Sequence, residues 1–218
     1  MTYTDEYTAE SREYAGKMLA QKFVRNNFLD AVVVGIPNGG VCVASAIAER
    51  LQLPLEILSC RAIKNPSDPS KNIGAVTVDD VYYQEFPQGM PQDYLYFQVV
   101  RLRNEIKYDN EFYYGNNDDL DFAGKTVILV DDILTSPDAL MAALMTIRKQ
   151  RPSKIIVAVP FVEAEAARVV QGACDEFTFI KMKQRINSPK EFYSEFPVVN
   201  EWDVRELLWQ SKAELIEA

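Results

Sequence analysis

The sequence has no histidine at any of its 218 positions. This absence excludes Ser-His-Asp and Cys-His catalysis, histidine as a general base, and zinc or iron bound by histidine. The groups that remain for chemistry are carboxylates, lysine, arginine, tyrosine, hydroxyls and backbone amides, or a hard metal such as Mg²⁺ bound by oxygen. A functional site must therefore be sought among oxygen-bearing side chains and loop backbones.

Cysteine and positive charge are also scarce. The three cysteines, Cys42, Cys60 and Cys174, are far apart and odd in number, which favours reduced thiols over a disulfide framework or a zinc site. The net charge of -9 argues against non-specific binding to nucleic acid or to an anionic membrane. The polar, acidic N-terminal stretch does not have the pattern of a secretory signal. We therefore expect a cytoplasmic protein without a nucleic-acid or membrane partner.

No apolar run in the sequence has the length of a membrane span, and the runs instead have the length of β-strands. Examples are "AVVVGI", "TVILV" and "IIVAVPFV", and each is followed by a segment with helical spacing of its apolar residues. Continuous apolar strands that alternate with helices are typical of a parallel sheet covered on both faces. The sequence therefore predicts an α/β fold with a mostly parallel sheet flanked by helices.

The segments between these units predict a small appendage. "KNPSDPSKN" (64–72) has the composition of a loop, and "GAVTV" and "VYYQE" on either side of two aspartates indicate a hairpin. A long helix is predicted over 93–114, and the tail "VNEWDVRELLWQSKAELI" has an amphipathic pattern.

The chain length fits one domain. We expect a single domain over residues 1–218, with a mobile loop and hairpin at about 64–86 and a C-terminal hood and helix at about 181–218.

Polar residues follow two of the predicted strands, where parallel sheets bind ligands. "PNGG" follows the first strand and "DDILTSPDA" follows the third core strand. A P-loop is excluded because Val41 and Cys42 stand where Lys and Ser/Thr would be required. The G-x-G-x-x-G motif of dinucleotide folds is absent, and a receiver domain with one phosphoacceptor acid does not explain two such loops.

The stretch "KTVILVDDILTSPDAL" resembles the motif with which type I phosphoribosyltransferases bind 5-phosphoribosyl-1-pyrophosphate (PRPP). "VVVGIPNGGVCVASAIAERL" is similar to the family's first strand, pyrophosphate loop and next helix, and "LEILSCRAIKNPSDPSKNIGAV" to its second strand and mobile loop. The tail "EFYSEFPVVNEWDVRELL" resembles the end of a little-characterised bacterial branch, so the resemblance covers nearly the whole chain.

The resemblance implies Mg²⁺-dependent transfer of a 5-phosphoribosyl group from PRPP to a nitrogenous base or related acceptor, within nucleotide metabolism. It implies that Asp131 and Asp132 are catalytic residues that contact the ribose hydroxyls and hold Mg²⁺ through water. The residues that it implies bind substrate are Asn38, Gly39, Gly40, Arg61, Lys64, Thr135, Ser136, Asp138 and Ala139. It also makes a homodimer an expectation.

The residues alone leave simpler interpretations open. Spacing alone favours an interpretation of the two acids as caps of a strand-to-helix turn. It is also consistent with "PNGG" as an ordinary tight turn, and a solvated surface charge is the commoner role for a lysine at the position of Lys64. The family branch commonly has arginine where Asn38 stands, so one charged contact to pyrophosphate is missing.

The predicted 5-phosphate loop departs from the family pattern, because Thr-Gly is replaced by Ser136-Pro137 and Asp138 follows. Pro137 has no N–H, and one lost hydrogen bond to a charged group costs roughly 1.5–3 kcal/mol. Repulsion between Asp138 and a phosphate at ~4 Å is worth on the order of 1–4 kcal/mol. Together these effects predict a loss of roughly two to five decades in phosphate affinity. Ser136, Pro137 and Asp138 also form a good helix start, with Ser136 as the N-cap.

Two functional hypotheses follow. The first is a phosphoribosyltransferase that binds a small phosphoribosyl or nucleotide ligand. The second is a protein of the same fold that has lost catalysis and serves as a nucleotide or ribose-phosphate sensor, or as an interaction module.

Aromatic residues that we consider as stacking platforms for a base are Phe161, Phe192, Tyr193 and Phe196.

Overall fold

The computed structural model describes residues 8–26, 28–84, 89–115 and 120–217. In chain order, its strands are β1 (Ala31–Gly35), β2 (Leu55–Ile57), β3 (Arg61–Asn65), β4 (Asp68–Val76), β5 (Val81–Tyr83), β6 (Thr126–Val130), β7 (Ile133–Leu134), β8 (Lys154–Glu163) and β9 (Glu176–Lys183). Six of them form a central sheet in the order β2-β1-β6-β8-β7, with β9 also paired to β8. All pairings in this sheet are parallel, so the predicted parallel core is confirmed.

Helices cover both faces of the central sheet, as predicted. They are α1 (Arg12–Gln21), α2 (Gly39–Leu51), α3 (Gln92–Tyr114), α4 (Asp138–Lys149), α5 (Ala164–Gln171) and α6 (Glu201–Glu217). Residues of α1, α2 and α6 join one apolar core, and residues of α4 and α5 join the core on the other face. None of the helices in the described ranges is long and apolar enough to cross a membrane.

Strands β3, β4 and β5 form a separate antiparallel sheet beside the central one. The predicted loop over 64–72 is wrong, because β3 and β4 pair across a turn at Pro66-Ser67. The polar residues there belong to an exposed hairpin tip, while Ile63 and Val76 nearer its base are buried against α3. The predicted hairpin between β4 and β5 is confirmed. Residues 85 and 86 of the predicted appendage lie outside the described residues, and the single-domain boundary stays a prediction.

A buried polar cluster attaches this small sheet to α4. The Thr146 hydroxyl lies 3.0 Å from Asp80 Oδ2 and 2.7 Å from Thr77 Oγ1. Lys149 Nζ lies 2.5 Å from Asp80 Oδ1. Both Thr77 and Asp80 belong to the β4–β5 connection, so that connection is fixed on the helix that follows β7.

The first turn of α2 and the end of β6 meet at the carboxyl edge of the central sheet. Strands β1 and β6 are parallel neighbours, with Gly35 paired to Val130 at their ends. Because neighbouring parallel strands end at the same edge, the loops after β1 and β6 are adjacent in space.

Candidate functional site

Asp131 and Asp132 directly follow β6 at the carboxyl edge of the sheet. Asp131 is half-buried and accepts a 2.8 Å hydrogen bond from the Asp132 backbone N–H. Asp132 is buried, and its carbonyl accepts a 2.7 Å hydrogen bond from the Tyr193 hydroxyl. The two carboxylates therefore lie at the strand end where the sequence predicts a ligand.

The glycines of the preceding loop allow α2 to approach these acids closely. A Cβ at Gly40 would lie 2.9 Å from Asp131 Cα, and a Cβ at Gly39 would lie 2.1 Å from Asp132 Oδ2. A side chain at either position would collide with the acid pair. The sequence predicts these glycines as part of an anion-binding loop, and the structure adds a packing reason for them.

Arg12 of α1 is a site residue that the sequence reasoning missed. Its Nε donates a 2.6 Å hydrogen bond to Asp132 Oδ2, and its Nη1 donates a 2.8 Å bond to the Pro197 carbonyl. The guanidinium also lies 3.6 Å from the ring centroid of Phe196. The sequence did contain a signal for this role. Arg12 lies seven positions before Leu19 and therefore on the same, buried face of the helix. A charged side chain on a buried face requires a partner of opposite charge.

The two carboxylates have different electrostatic surroundings. Asp132 is paired with Arg12. Burial, together with the adjacent Asp132 carboxylate, raises the pKa of Asp131 well above its ordinary value. Asp131 therefore binds a proton more readily than an isolated aspartate does, and a nearby cation would oppose that shift, whereas Asp132 has the buried Arg12 guanidinium beside it.

At the junction between β7 and α4, side chains form hydrogen bonds with one another. The Ser136 hydroxyl donates to Asp138 Oδ2 and accepts a 3.5 Å hydrogen bond from the Asp138 N–H. Asp138 is only 2% exposed, and its Oδ1 has no hydrogen-bond partner. Pro137 already has helical dihedral angles, and α4 begins at Asp138. The carboxylate of Asp138 thus lies at the helix N-terminus, where the predicted phosphate would bind.

The other residues of this loop differ in exposure. Thr135 is exposed, whereas Ala139 is half-buried and its carbonyl lies 3.7 Å from the Cys60 Sγ. Of the predicted loop residues, Thr135 is the one that solvent reaches most freely.

The other residues that were predicted to bind substrate have hydrogen-bond or ion-pair partners in other parts of the structure. Asn38 Nδ2 donates a 2.9 Å hydrogen bond to the Val199 carbonyl. Arg61 forms an ion pair with Asp109 of α3, and Lys64 Nζ donates a 2.8 Å bond to Asn72 Oδ1 across the β3–β4 hairpin. The structure therefore brings the glycines and acids together, and gives Asn38, Arg61 and Lys64 partners outside the acid pair.

The aromatic residues proposed as stacking platforms are packed internally. Phe161 stacks on Phe192 with centroids 4.5 Å apart and meets Tyr193 edge-on at 5.0 Å. These three rings are each 1% exposed, so the stacking interpretation is wrong for them. Phe196 instead contacts Arg12.

Comparison with known proteins finds a matching family model and similar curated proteins. A family model described as a phosphoribosyl transferase domain matches residues 4–192. Two curated proteins of Mycobacterium tuberculosis, from strains CDC 1551 and H37Rv, have provisional phosphoribosyl transferase names and are 25% identical over 213 residues. These matches cover 96% of this chain but 48% of each relative, so the chain spans about half the length of the curated relatives it matches.

Two solved structures show the same architecture. The chain is similar to the protein TT1426 from Thermus thermophilus, with a TM-score of 0.78, 27% identity, and coverage of 93% of this chain and 98% of that one. It also resembles the AQ2163 protein from Aquifex aeolicus, with a TM-score of 0.50, 14% identity, and coverage of 84% and 81%. At that identity the second likeness concerns the fold alone.

Proposed function

Since the chain belongs to the phosphoribosyl transferase domain family, we propose that it transfers a 5-phosphoribosyl group from PRPP to a nitrogenous base or related acceptor, with Mg²⁺ as cofactor. One observation carries the proposal: Asp131 and Asp132, which follow β6, lie directly against Gly40 and Gly39 of α2. An acid pair beside a helix N-terminus combines acceptors for ribose hydroxyls with backbone amides for an anion.

The chain's own residues have distinct parts in this proposal. The half-buried Asp131 carboxyl accepts hydrogen bonds from ribose hydroxyls, and Asp132 is kept in place by Arg12. The amides at the start of α2 face the leaving pyrophosphate, whose charge the helix N-terminus favours. Catalysis then consists mainly of positioning the ribose and stabilising charge in the transition state.

The acid pair also fits Mg²⁺, although it is not a complete site by itself. Among the residues that the structure describes, no group of three or more Asp, Glu, Cys or His side chains could hold a metal. Two carboxylates are nevertheless sufficient for Mg²⁺, which keeps several waters and takes further oxygens from substrate phosphates. Asp131 and Asp132 would hold the ion through water, and when bound it would supply positive charge to the leaving pyrophosphate.

Calorimetry with PRPP, with and without Mg²⁺, tests this function, together with release of pyrophosphate in the presence of purine and pyrimidine bases. We expect Mg²⁺-dependent binding that Asp131→Asn weakens by at least about tenfold, since it removes a charged acceptor. Asp121→Asn, at an exposed acid outside the site, is the control and leaves binding unchanged. No binding of PRPP at millimolar concentration with Mg²⁺ would overturn the proposal.

A second candidate is a binding protein of this fold that no longer catalyses transfer and senses a nucleotide or ribose phosphate. The observation that favours it is Asp138, whose buried carboxylate lies at the N-terminus of α4 beside Pro137, a residue without an N–H. In this candidate the protein's own anion takes the place of the 5-phosphate.

The double variant Pro137→Gly/Asp138→Ala distinguishes the two candidates. If Asp138 blocks the phosphate position, the variant binds PRPP or ribose 5-phosphate at least about tenfold more tightly than the wild type, because it removes a repulsive charge and restores a backbone donor. Wild-type binding at micromolar concentration with no gain in the variant shows that Asp138 does not block the phosphate position, and this removes the observation that favours the second candidate. Ala142→Gly, one turn further along α4 and not among the predicted substrate contacts, is a control for a general loosening of the helix start.

A further inference from the structure

A cavity of about 400 Å³ lies among α1, α2 and α6, on the face of the central sheet that these helices cover. Helix α2 contributes Cys42, Ser45, Ala46 and Glu49 to its wall, and their spacing of three, one and three positions places them on one face of the helix. The first three side chains are small, which leaves space between α2 and its neighbours. Small-molecule sites have volumes of roughly 300–1,000 Å³, so this space is large enough for a ligand. We call it the Arg12 cavity.

The guanidinium of Arg12 lies at the buried end of this cavity. Its side chain is 9% exposed, and its Nε and Nη1 donate to Asp132 and to the Pro197 carbonyl. Because a guanidinium has five N–H donors, three remain on Nη1 and Nη2. Nη2 has no hydrogen-bond partner among the described residues, and it is not fully enclosed by protein atoms. These donors are therefore available to a molecule in the cavity.

The buried end of the cavity has donors but little net charge. Asp132 already balances the charge of Arg12. Burial raises the pKa of the nearby Cys42 thiol, so the thiol is uncharged at neutral pH. A second carboxylate placed here would face Asp132 and lack a counter-charge of its own. A neutral acceptor, such as a carbonyl oxygen, therefore fits this end better than an anion does.

The outer rim of the cavity is negatively charged. Glu13, Glu49 and Glu195 belong to its lining, and all three are exposed. Lys17 Nζ lies 2.5 Å from Glu13 Oε1 and balances one of these carboxylates. Within the part of the chain that the structure describes, Glu49 and Glu195 have no cation within 4 Å. Two negative charges thus remain at the rim, and they favour an ammonium group there.

The wall between the two ends is partly apolar. Ala46 and Val199 are buried and Leu207 is half-buried, and all three line the cavity. Cys42 near the buried end and Glu49 at the rim are seven positions apart on α2, which corresponds to ~10 Å along the helix axis. A ligand that reaches from one end to the other therefore needs a hydrocarbon spacer several atoms long.

We propose that the Arg12 cavity binds a small organic cation. The ligand has a neutral carbonyl group that accepts from Arg12, a short hydrocarbon spacer, and an ammonium group beside Glu49 and Glu195. This site does not depend on transfer chemistry at Asp131 and Asp132. It is nevertheless joined to the acid pair, because the ligand contacts the same guanidinium that holds Asp132.

Titration of the full chain with 6-aminohexanamide, followed by NMR of the backbone amides, tests the site. This compound has a neutral amide and an ammonium group at opposite ends of a hydrocarbon chain. We expect saturable shifts in α1 and α2 with a dissociation constant of about 1 mM or lower, as is reasonable for a ligand of this size. Hexanamide lacks the cation, hexylamine lacks the carbonyl, and 6-aminohexanoate has a charged acceptor. Each should bind at least about threefold more weakly.

Two variants test the position of the ligand. Ser45→Leu fills the cavity from α2, and we expect at least about tenfold weaker binding. Glu49→Gln removes one rim charge and should weaken binding by about two- to fivefold. Ser67→Leu at the exposed tip of the β3–β4 hairpin and Glu165→Gln at an exposed position of α5 are the matched controls. Both controls should leave binding unchanged, and circular dichroism checks that every variant is folded.

Absence of saturable binding at about 20 mM 6-aminohexanamide overturns the proposal. Binding that Ser45→Leu leaves unchanged overturns the assignment to this cavity. If hexanamide, hexylamine or 6-aminohexanoate binds as tightly as 6-aminohexanamide, the proposed ligand chemistry is wrong.

Discussion

Arg12 and Asp132 form a buried ion pair, with a 2.6 Å hydrogen bond between side chains that are 120 positions apart in the sequence. Arg12 also binds the Pro197 carbonyl and stacks on Phe196. The acid at the end of β6 is therefore fixed by the first helix and by the segment before the last one.

We predict that Arg12→Met strongly destabilises the protein. Removal of one partner from a buried ion pair leaves the other charge uncompensated and costs about 3–5 kcal/mol. For a domain of this size the melting temperature should fall by roughly 6–20 °C, as measured by thermal unfolding followed by circular dichroism. Arg148→Met is the control, since the Arg148–Asp175 pair is far more exposed and its loss should cost less than about 1 kcal/mol. Equal effects of the two substitutions would contradict this assignment.

A second prediction concerns the close approach at Gly39. Gly39→Ala places a Cβ 2.1 Å from Asp132 Oδ2 and 2.6 Å from Arg12 Nε, so α2 or the ion pair must move. We expect a loss of at least about 1–3 kcal/mol in the free energy of unfolding, as in other overpacked sites. Chemical denaturation measures it.

Gly172→Ala provides the matched comparison for Gly39→Ala. A Cβ at Gly172 would meet its nearest atom at 3.5 Å, and the residue has ordinary right-handed helical dihedral angles. This substitution should be neutral or stabilise by up to about 1 kcal/mol, because it restricts the unfolded chain. If both alanine variants unfold alike, the steric account of Gly39 is wrong.

The third prediction concerns the pH dependence of cysteine labelling. Burial raises the pKa of the Cys60 thiol to about 12, and Asp131 adds to the effect. Because the thiolate is the reactive form, its fraction at pH 8 is roughly one in 10⁴, and the labelling rate of Cys60 rises with pH until about 12. Native labelling with iodoacetamide, followed by peptide mass spectrometry, should therefore modify the half-buried Cys174 well before Cys60. Labelling of both at one rate at pH 8, without unfolding, would contradict the buried position.

The fourth prediction tests how firmly the β3–β5 sheet is attached. Thr146→Val removes the hydroxyl between Asp80 and Thr77, and leaves the buried Asp80 with fewer partners. We expect about 1–3 kcal/mol of destabilisation, with faster amide hydrogen exchange in β4 and β5 than in β6 or β8. Thr178→Val, on β9, serves as the comparison. Unchanged exchange in β5 would show that these hydroxyls do not hold the hairpin.

The parallel sheet could be predicted from the sequence because the pattern that indicates it is local. Strands β1, β6 and β8 are continuous apolar runs buried on both faces, and each is followed by a helix with its own apolar spacing. The position of Asp131 at a strand end follows from that pattern, and adjacent β1 and β6 then bring Gly40 beside it. These inferences require only periodicity and the rule that parallel strands share an edge.

The contacts that the sequence did not reveal join residues far apart in the chain. Nothing near Arg61 indicates that its partner is Asp109, 48 positions later. The Pro- and Asp-rich tip at 66–69 has loop composition, yet the pairing of the two strands continues from the base of the hairpin as far as Asn65 and Asp68. In the same way, Phe192 has an aromatic side chain that could stack on a base. It packs against Phe161 instead, because the segment after β9 folds back over β8.

The contacts of Tyr193 and Pro197 join early parts of the chain to residues that are synthesised late. The Tyr193 hydroxyl binds the Asp132 carbonyl from 61 positions later in the chain. At roughly 5–20 residues per second, a ribosome needs about 3–12 seconds to make that stretch. The acid pair is thus synthesised before Tyr193 and before Pro197, whose carbonyl accepts from Arg12, so the contacts that fix Asp132 are completed only after Pro197 has been made.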